Sequence, residues 1–134
     1  MALTFRLRKH ADYQRVYRSS RKQFSRQMSY FFAHRESTSA AAVEPTPRVG
    51  LTVGKVMGKA VDRNRIKRRM REAVRRNLSL LEGPIDVILH PRRSVIELDF
   101  ATLDREVAHV FTSIRKASRL PSAETPAAPD KSLS

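Results

Sequence analysis

The chain has 134 residues, 40% of them hydrophobic and none of them cysteine, which favours one domain and excludes disulfides, thiolate metal sites and cysteine nucleophiles. Its 27 lysine and arginine residues outnumber 13 acidic residues, and the formal net charge of +14 indicates a polyanionic partner. No stretch approaches the roughly 20 apolar residues of a membrane span, and the N-terminus lacks a signal-peptide core, so we expect a cytoplasmic protein.

The N-terminal part of the chain predicts a short helix followed by a strand. Residues 11–18 favour a helix in which Tyr13 and Tyr17, four positions apart, share one face. In residues 24–32 apolar and polar side chains alternate, which predicts a strand with one apolar face. The residues on that apolar face are Phe24, Met28, Tyr30 and Phe32.

The aromatic rings of this region have two alternative uses. Single-stranded bases stack on exposed rings, and the hydroxyls of Tyr13 and Tyr17 suit a half-exposed groove. Aromatic residues at periodic spacing also form cores, and for these two tyrosines both alternatives stay open. We assign Phe32 and Phe111 to the core.

A loop and a second strand come next. Residues 36–47 are small and polar and end in proline, which is typical of a loop. Residues 48–55 alternate valine and leucine with glycine and threonine, which predicts a strand. Its small residues leave one face open to close approach by another group.

Residues 60–77 are the most informative segment of the sequence. Eight lysine and arginine residues stand there against two acids, Asp62 and Glu72, and Asp62 is a candidate helix N-cap. The apolar residues Ile66, Met70, Ala73 and Val74 keep the spacing of one helix face. The opposite face carries Lys67, Arg68, Arg71 and Arg75. Arginine pairs with phosphate through two hydrogen bonds, so we interpret this face as a polyphosphate-binding surface rather than as a solvated one.

The C-terminal part predicts one more strand and one more helix. Residues 85–90 form a nearly continuous apolar run, which indicates a central strand. Asp99 is a candidate cap for the last helix. The apolar face of that helix holds Leu103, Val107, Val110, Phe111 and Ile114.

These elements predict an α/β or α+β two-layer sandwich. We expect one sheet of about four strands and three helices, in the order α-β-β-β-α-β-α. Residues 1–118 would form a single domain, and residues 119–134, rich in proline, serine and alanine, a disordered tail.

Motifs for protein-borne catalysis are missing from the sequence. The four histidines have no metal-ligand spacing, no serine lies in a G-x-S-x-G turn, and no glycine run matches a phosphate-binding loop. We therefore expect a binding protein without catalytic residues of its own.

Three segments resemble the protein subunit of bacterial ribonuclease P. RVGLTVGK (48–55) followed by GKAVDRNRIKRRMRE (58–72) is similar to that family's strand and Arg-Asn-Arg helix. LRKHADYQRVY (7–17) resembles its first helix, and DVILHPR (86–92) the strand after the motif helix. The resemblance covers roughly residues 3–116, whereas Val56 and Lys59 depart from the lysine and asparagine that the family often has.

The resemblance implies a function and a fold. Ribonuclease P removes the 5′ leader of precursor tRNA, and its catalyst is the RNA subunit working with Mg²⁺. The protein subunit is a cofactor that binds this RNA and the leader, and it is inactive alone. The implied partners are the ribonuclease P RNA and precursor tRNA, with no DNA and no membrane. The implied fold is an α/β sandwich with a left-handed βαβ crossover.

The resemblance also implies two sets of site residues. The catalytic RNA would contact Arg63, Asn64, Arg65, Lys67, Arg68, Arg71 and Arg75. The leader-binding cleft would be lined by Tyr13, Tyr17, Phe24, Tyr30 and Lys55. The alternatives are a ribosomal-type or general basic RNA-binding protein without a processing role, and a protein nuclease that acts without RNA.

Overall fold

The computed structural model describes residues 6–35 and 46–119 of the chain. In chain order its main elements are α1 (His10–Ser19), β1 (Gln23–Phe24), β2 (Met28–His34), β3 (Arg48–Leu51), α2 (Ala60–Asn77), β4 (Ile85–Pro91) and α3 (Phe100–Arg119). Three helices and four strands therefore follow each other in the predicted order. Most of the predicted loop and nearly all of the predicted tail lie outside the described residues.

One mixed sheet holds all four strands in the order β1-β2-β4-β3. Strand β2 runs antiparallel to β1 and β4, whereas β3 runs parallel to β4. Strand β4 is interior and buried along almost its whole length, which confirms the predicted central strand. Because β3 and β4 are parallel neighbours, the segment β3–α2–β4 is a βαβ unit, and its left-handed crossover stays a prediction.

The main core lies between the sheet and the helices α2 and α3. All four predicted apolar residues of α2 and all five of α3 are buried there. They pack against residues of the sheet that include Met28, Val87 and Leu89. Phe111 is fully buried and Phe32 packs against the core half-buried, so both core assignments hold.

The predicted strand over residues 24–32 is wrong in its first half. The chain reverses between β1 and β2, where the Ser25 N–H donates to the Met28 carbonyl at 2.8 Å. Phe24 then pairs with Ser29. Because paired residues of neighbouring strands share a face, Phe24 lies on the opposite side of the sheet from Met28 and Tyr30.

One further boundary and one cap differ from the prediction, and a second cap agrees with it. Strand β3 ends at Leu51, and a short 3₁₀ helix begins at Lys55. Helix α2 begins two residues before Asp62, whose carboxylate accepts the Lys59 N–H at 3.2 Å from inside the first turn. Asp62 is therefore not the N-cap: Lys59 is, and Asp62 occupies the third helical position, from which its carboxylate caps the Lys59 N–H. Asp99 accepts the Thr102 N–H at 3.3 Å and caps α3 as predicted.

Candidate nucleic-acid interface

Helix α1 packs on the sheet face opposite to α2 and α3. Val16 is fully buried against Ile88 of β4, whereas the neighbouring Val87 and Leu89 belong to the main core. Successive residues of a strand point to opposite faces, so the two clusters lie on two sides of one sheet. The buried cluster on the α1 side is the smaller of the two, and α1 covers this face of the sheet only in part.

Four rings gather on this side, and we call them the aromatic cleft: Tyr13, Tyr17, Phe31 and His90. The Tyr17 and Phe31 ring centroids are 4.8 Å apart, and their planes are nearly perpendicular. His90 lies 5.9 Å from Tyr17 and 5.5 Å from Phe31. Tyr13 lies 6.5 Å from Tyr17. Tyr17 is 36% exposed, so a base has access to its ring.

The structure places the five predicted cleft residues in different positions. Tyr13 and Tyr17 belong to the cleft. Phe24 is 66% exposed and lies on the same face of the sheet, because it pairs with Ser29, which in turn pairs with His90. The assignment of Tyr30 to the cleft is wrong, because its side chain points to the other face of the sheet and is buried in the main core. Lys55 is exposed at the start of the 3₁₀ helix after β3, and its place in the leader cleft stays a prediction.

Sequence reasoning missed Phe31 and His90. Phe31 lies two residues after Ser29 in the same strand, so the alternation of the sequence places both side chains on the cleft face. His90 reaches the cleft because β4 places it beside Ser29. That register is a contact between distant segments, which a pattern within one segment does not contain.

Tyr13 has a packing role as well as an exposed edge. It lies directly over Gly50 of β3, where an added Cβ would come within 2.2 Å of the Tyr13 hydroxyl oxygen. Gly50 therefore allows the close approach expected of this strand, and the group that approaches is the chain's own helix. The Tyr13 hydroxyl donates to the Leu7 carbonyl at 3.3 Å, and burial, with Tyr17 nearby, raises its pKa.

The Tyr17 hydroxyl and His90 Nε2 are 3.0 Å apart and share a hydrogen bond. Burial and, secondarily, the nearby Lys22 ammonium lower the pKa of His90 from its ordinary value of 6.5. The imidazole is therefore neutral at pH 7 and contributes hydrogen bonding rather than charge.

A buried carboxylate fastens α1 to the sheet beside the cleft. Asp86 of β4 has no exposed surface and accepts hydrogen bonds from Arg15 of α1, Arg35 after β2 and Arg48 of β3. The Arg48 bonds are 2.9 Å each. Burial alone would raise the pKa of Asp86, but the bonds from Arg48 and Arg15 and the arginine charges hold it below its ordinary value.

The second surface is the basic face of α2, which comprises Arg63, Asn64, Arg65, Lys67, Arg68, Arg71 and Arg75. Arg65 and Arg68 are exposed, and within the described residues neither has an acidic partner. Arg75 differs, because it forms a hydrogen-bonded ion pair with Glu72 on the same helix. Lys67 and Arg71 line a pocket of ≈ 130 Å³ together with Tyr13, so the basic face meets the edge of the aromatic cleft.

Membrane spans and metal centres are missing from the described residues. No helix in residues 6–35 and 46–119 is long and apolar enough to cross a membrane. Within the same ranges, histidine, aspartate and glutamate side chains form no group of three or more that could hold a metal ion.

Comparisons with known proteins agree on one family. The family model described as Ribonuclease P matches residues 1–115. The chain is 32% identical to the Ribonuclease P protein component of Finegoldia magna over 118 residues, which cover 88% of this chain and 95% of that protein. It is 35% identical to the Ribonuclease P protein component of Bacillus velezensis over 115 residues, covering 84% and 93%.

Solved structures share the fold. The Staphylococcus aureus RNase P protein is similar with a TM-score of 0.68 and 26% identity, over 83% of this chain and 95% of that one. The RNase P protein from Thermotoga maritima matches in fold with a TM-score of 0.67 and 24% identity, over 81% and 96%.

Proposed function

The chain belongs to the ribonuclease P protein family, and on that premise we propose that its two surfaces bind different RNAs. As the protein component of ribonuclease P, it is a cofactor in tRNA 5′ processing, and the RNA subunit of the holoenzyme catalyses cleavage of the leader. Its partners are, in general terms, the ribonuclease P RNA and the tRNA substrate. The finer proposal assigns the RNA subunit to the basic face of α2 and the 5′ leader to the aromatic cleft.

One observation carries this assignment: exposed rings and unpaired cations occupy two adjoining but different surfaces of one small domain. Arginines without acidic partners, such as Arg65 and Arg68, neutralise phosphates and release counterions, whatever the sequence of the RNA. An exposed ring such as Tyr17 stacks on an unpaired base, and a 5′ leader is single-stranded. The chemistry of each surface therefore matches one of the two RNAs.

We propose Mg²⁺ as the metal of the holoenzyme and the cytoplasm as its location. The basic face of α2 repels a divalent cation, and its Glu72 is already paired with Arg75. Phosphate oxygens of the RNA subunit would supply the hard ligands that Mg²⁺ prefers. The protein's contribution to the reaction is then to hold two polyanions together at physiological salt.

A general basic RNA-binding protein would use the same charge differently. It would bind precursor and mature tRNA equally well in the presence of the RNA subunit, because phosphate contacts do not distinguish them. The aromatic cleft favours the leader-binding alternative, since only the precursor has unpaired bases upstream of the cleavage site.

Tyr17→Ala is expected to weaken holoenzyme binding to precursor tRNA about tenfold, because a base–aromatic stack contributes about 1–3 kcal/mol. Binding of mature tRNA and of the RNA subunit should not change. Tyr17→Phe keeps the stacking ring and serves as the matched control, with an affinity much closer to the wild type than that of Tyr17→Ala. The measurement is the dissociation constant of each tRNA from the reconstituted holoenzyme. Equal losses for precursor and mature tRNA would show that Tyr17 supports the fold instead of the leader.

A further inference from the structure

His90 stands in a row of side chains that crosses the sheet on the side of the aromatic cleft. The strand register places His90 of β4 beside Ser29 of β2, and Ser29 beside Phe24 of β1. Phe24 is exposed, and Ser29 and His90 are half-buried. A strand of RNA that stacks on Tyr17 would therefore lie against a row in which His90 is the ring with hydrogen-bonding nitrogens.

Neighbouring rings hold the imidazole in one orientation. Tyr17 and Phe31 pack against it with centroid distances of 5.9 and 5.5 Å. The Tyr17 hydroxyl also bonds its Nε2 at 3.0 Å. A ring packed between two side chains and fixed by one hydrogen bond has a defined direction for its remaining hydrogen bond, which is what discrimination between bases requires.

The second ring nitrogen, Nδ1, is available to a ligand. Within the described residues, Nε of Arg69 is the one buried side-chain nitrogen or oxygen without a hydrogen-bond partner. The hydrogen bond of the His90 ring uses Nε2, and Nδ1, which has no protein partner among the described residues, is not fully buried. When Tyr17 donates its proton to Nε2, the neutral ring carries its proton on Nδ1 and offers a donor to the cleft.

We propose that His90 is a specificity-determining residue of the leader cleft, which hydrogen-bonds through Nδ1 to an acceptor on the edge of a leader nucleobase stacked on Tyr17. This inference rests on the proposed function, because it assumes that the leader occupies the cleft. It adds a preference for base identity at one leader position, which stacking does not supply because every base has a stacking face.

A base edge suits His90 better than a phosphate does. Burial and Lys22 lower the pKa of His90, so at pH 7 the ring is uncharged and attracts a phosphate weakly. Lys22, whose ammonium lies 5.8 Å from the centroid of the exposed Phe24 ring, is the better phosphate ligand in this region. A single neutral hydrogen bond changes affinity by about 3- to 10-fold, which sets the expected size of the preference.

The test uses holoenzyme reconstituted with the RNA subunit and precursor tRNAs that carry each of the four bases at successive leader positions. Wild-type holoenzyme should prefer particular bases at one position by about 3- to 10-fold. His90→Phe retains the ring without nitrogens and should remove that preference while retaining affinity for the RNA subunit. His90→Gln keeps a donor and should retain part of the preference. The matched control is His109→Phe, which changes an exposed histidine on α3 and should leave the profile intact.

Three results would overturn the proposal. The first is a wild-type holoenzyme that shows no base preference at any leader position. The second is a base preference that is unchanged in both His90 variants. The third is a loss of precursor tRNA affinity in both variants that is equal for all four bases. The last result identifies a packing role. If Tyr17→Ala still lowers precursor affinity selectively, such results reject the His90 role alone. If Tyr17→Ala has no selective effect, the leader assignment itself fails.

Discussion

Asp86→Asn is expected to lower the free energy of unfolding by about 3 kcal/mol, because it replaces the buried carboxylate that three arginines share with a neutral amide. That figure is the lower end of the range for breaking a buried pair. The lower end applies because the side chains of Arg15 and Arg48 are 34% and 23% exposed, keep part of their hydration and still lie 3.4 Å from the Asp12 carboxylate. The measurement is urea unfolding of the isolated protein.

The effect of Asp86→Asn should depend on pH in a defined direction. The folded protein holds the pKa of Asp86 below its ordinary value of 3.8. The carboxylate therefore contributes its full stability above pH 3.8 and loses it as the pH falls through the lower folded value. The difference between wild type and variant should shrink in that acidic range. Glu72→Gln, which removes the partner of the exposed Arg75, is the matched control and should leave unfolding unchanged. A variant as stable as wild type at neutral pH would contradict the anchoring role of Asp86.

Arg65→Ala combined with Arg68→Ala is expected to weaken binding of the RNA subunit about 100-fold at physiological salt. Hydrogen bonds to charged groups contribute about 1.5–3 kcal/mol each, and the lower value applies at exposed sites. The slope of log affinity against log salt should fall by about 2, because two phosphate contacts are lost. The fold should be unaffected, since both side chains are exposed and neither has an acidic partner among the described residues.

The matched control removes the same charge from another surface. Arg105 and Lys116 are exposed on α3 and are not part of the basic face of α2. Arg105→Ala with Lys116→Ala should lower affinity only slightly and leave the salt slope almost unchanged. If both double variants lose the same affinity and the same salt slope, the net charge of the protein, and not the basic face of α2, would account for binding of the RNA subunit.

Elements with strong hydrophobic periodicity could be predicted from the sequence. Helices α2 and α3 bury the faces that their spacing indicates, and the apolar run of β4 lies inside the sheet. The hairpin between β1 and β2 could not be predicted, because residues 25–27 contain no glycine, proline or asparagine to signal a turn. Glu106 of α3 stabilises this turn by accepting hydrogen bonds from the Ser25 hydroxyl and the Gln27 N–H. That contact joins residues about 80 positions apart.

The site was predictable where one segment carries it and unpredictable where several segments meet. The basic face of α2 is contained in one helix, and so is the pair Tyr13 and Tyr17. Phe24 and Tyr30 were both predicted to line the cleft, but the turn before β2 places Phe24 on the cleft side of the sheet and leaves Tyr30 in the core. Asp86 looked like part of an apolar strand, although its arginine partners come from three separate segments.

Cleavage of precursor tRNA with each component omitted in turn is the most direct test of the central claim that this protein assists a catalytic RNA. The reaction is followed with Mg²⁺ at physiological salt in three mixtures: protein alone, ribonuclease P RNA alone, and both together. We predict no cleavage by the protein alone and faster cleavage by the mixture than by the RNA alone, with the leader released in one piece. Cleavage by the purified protein without the RNA subunit would contradict the account.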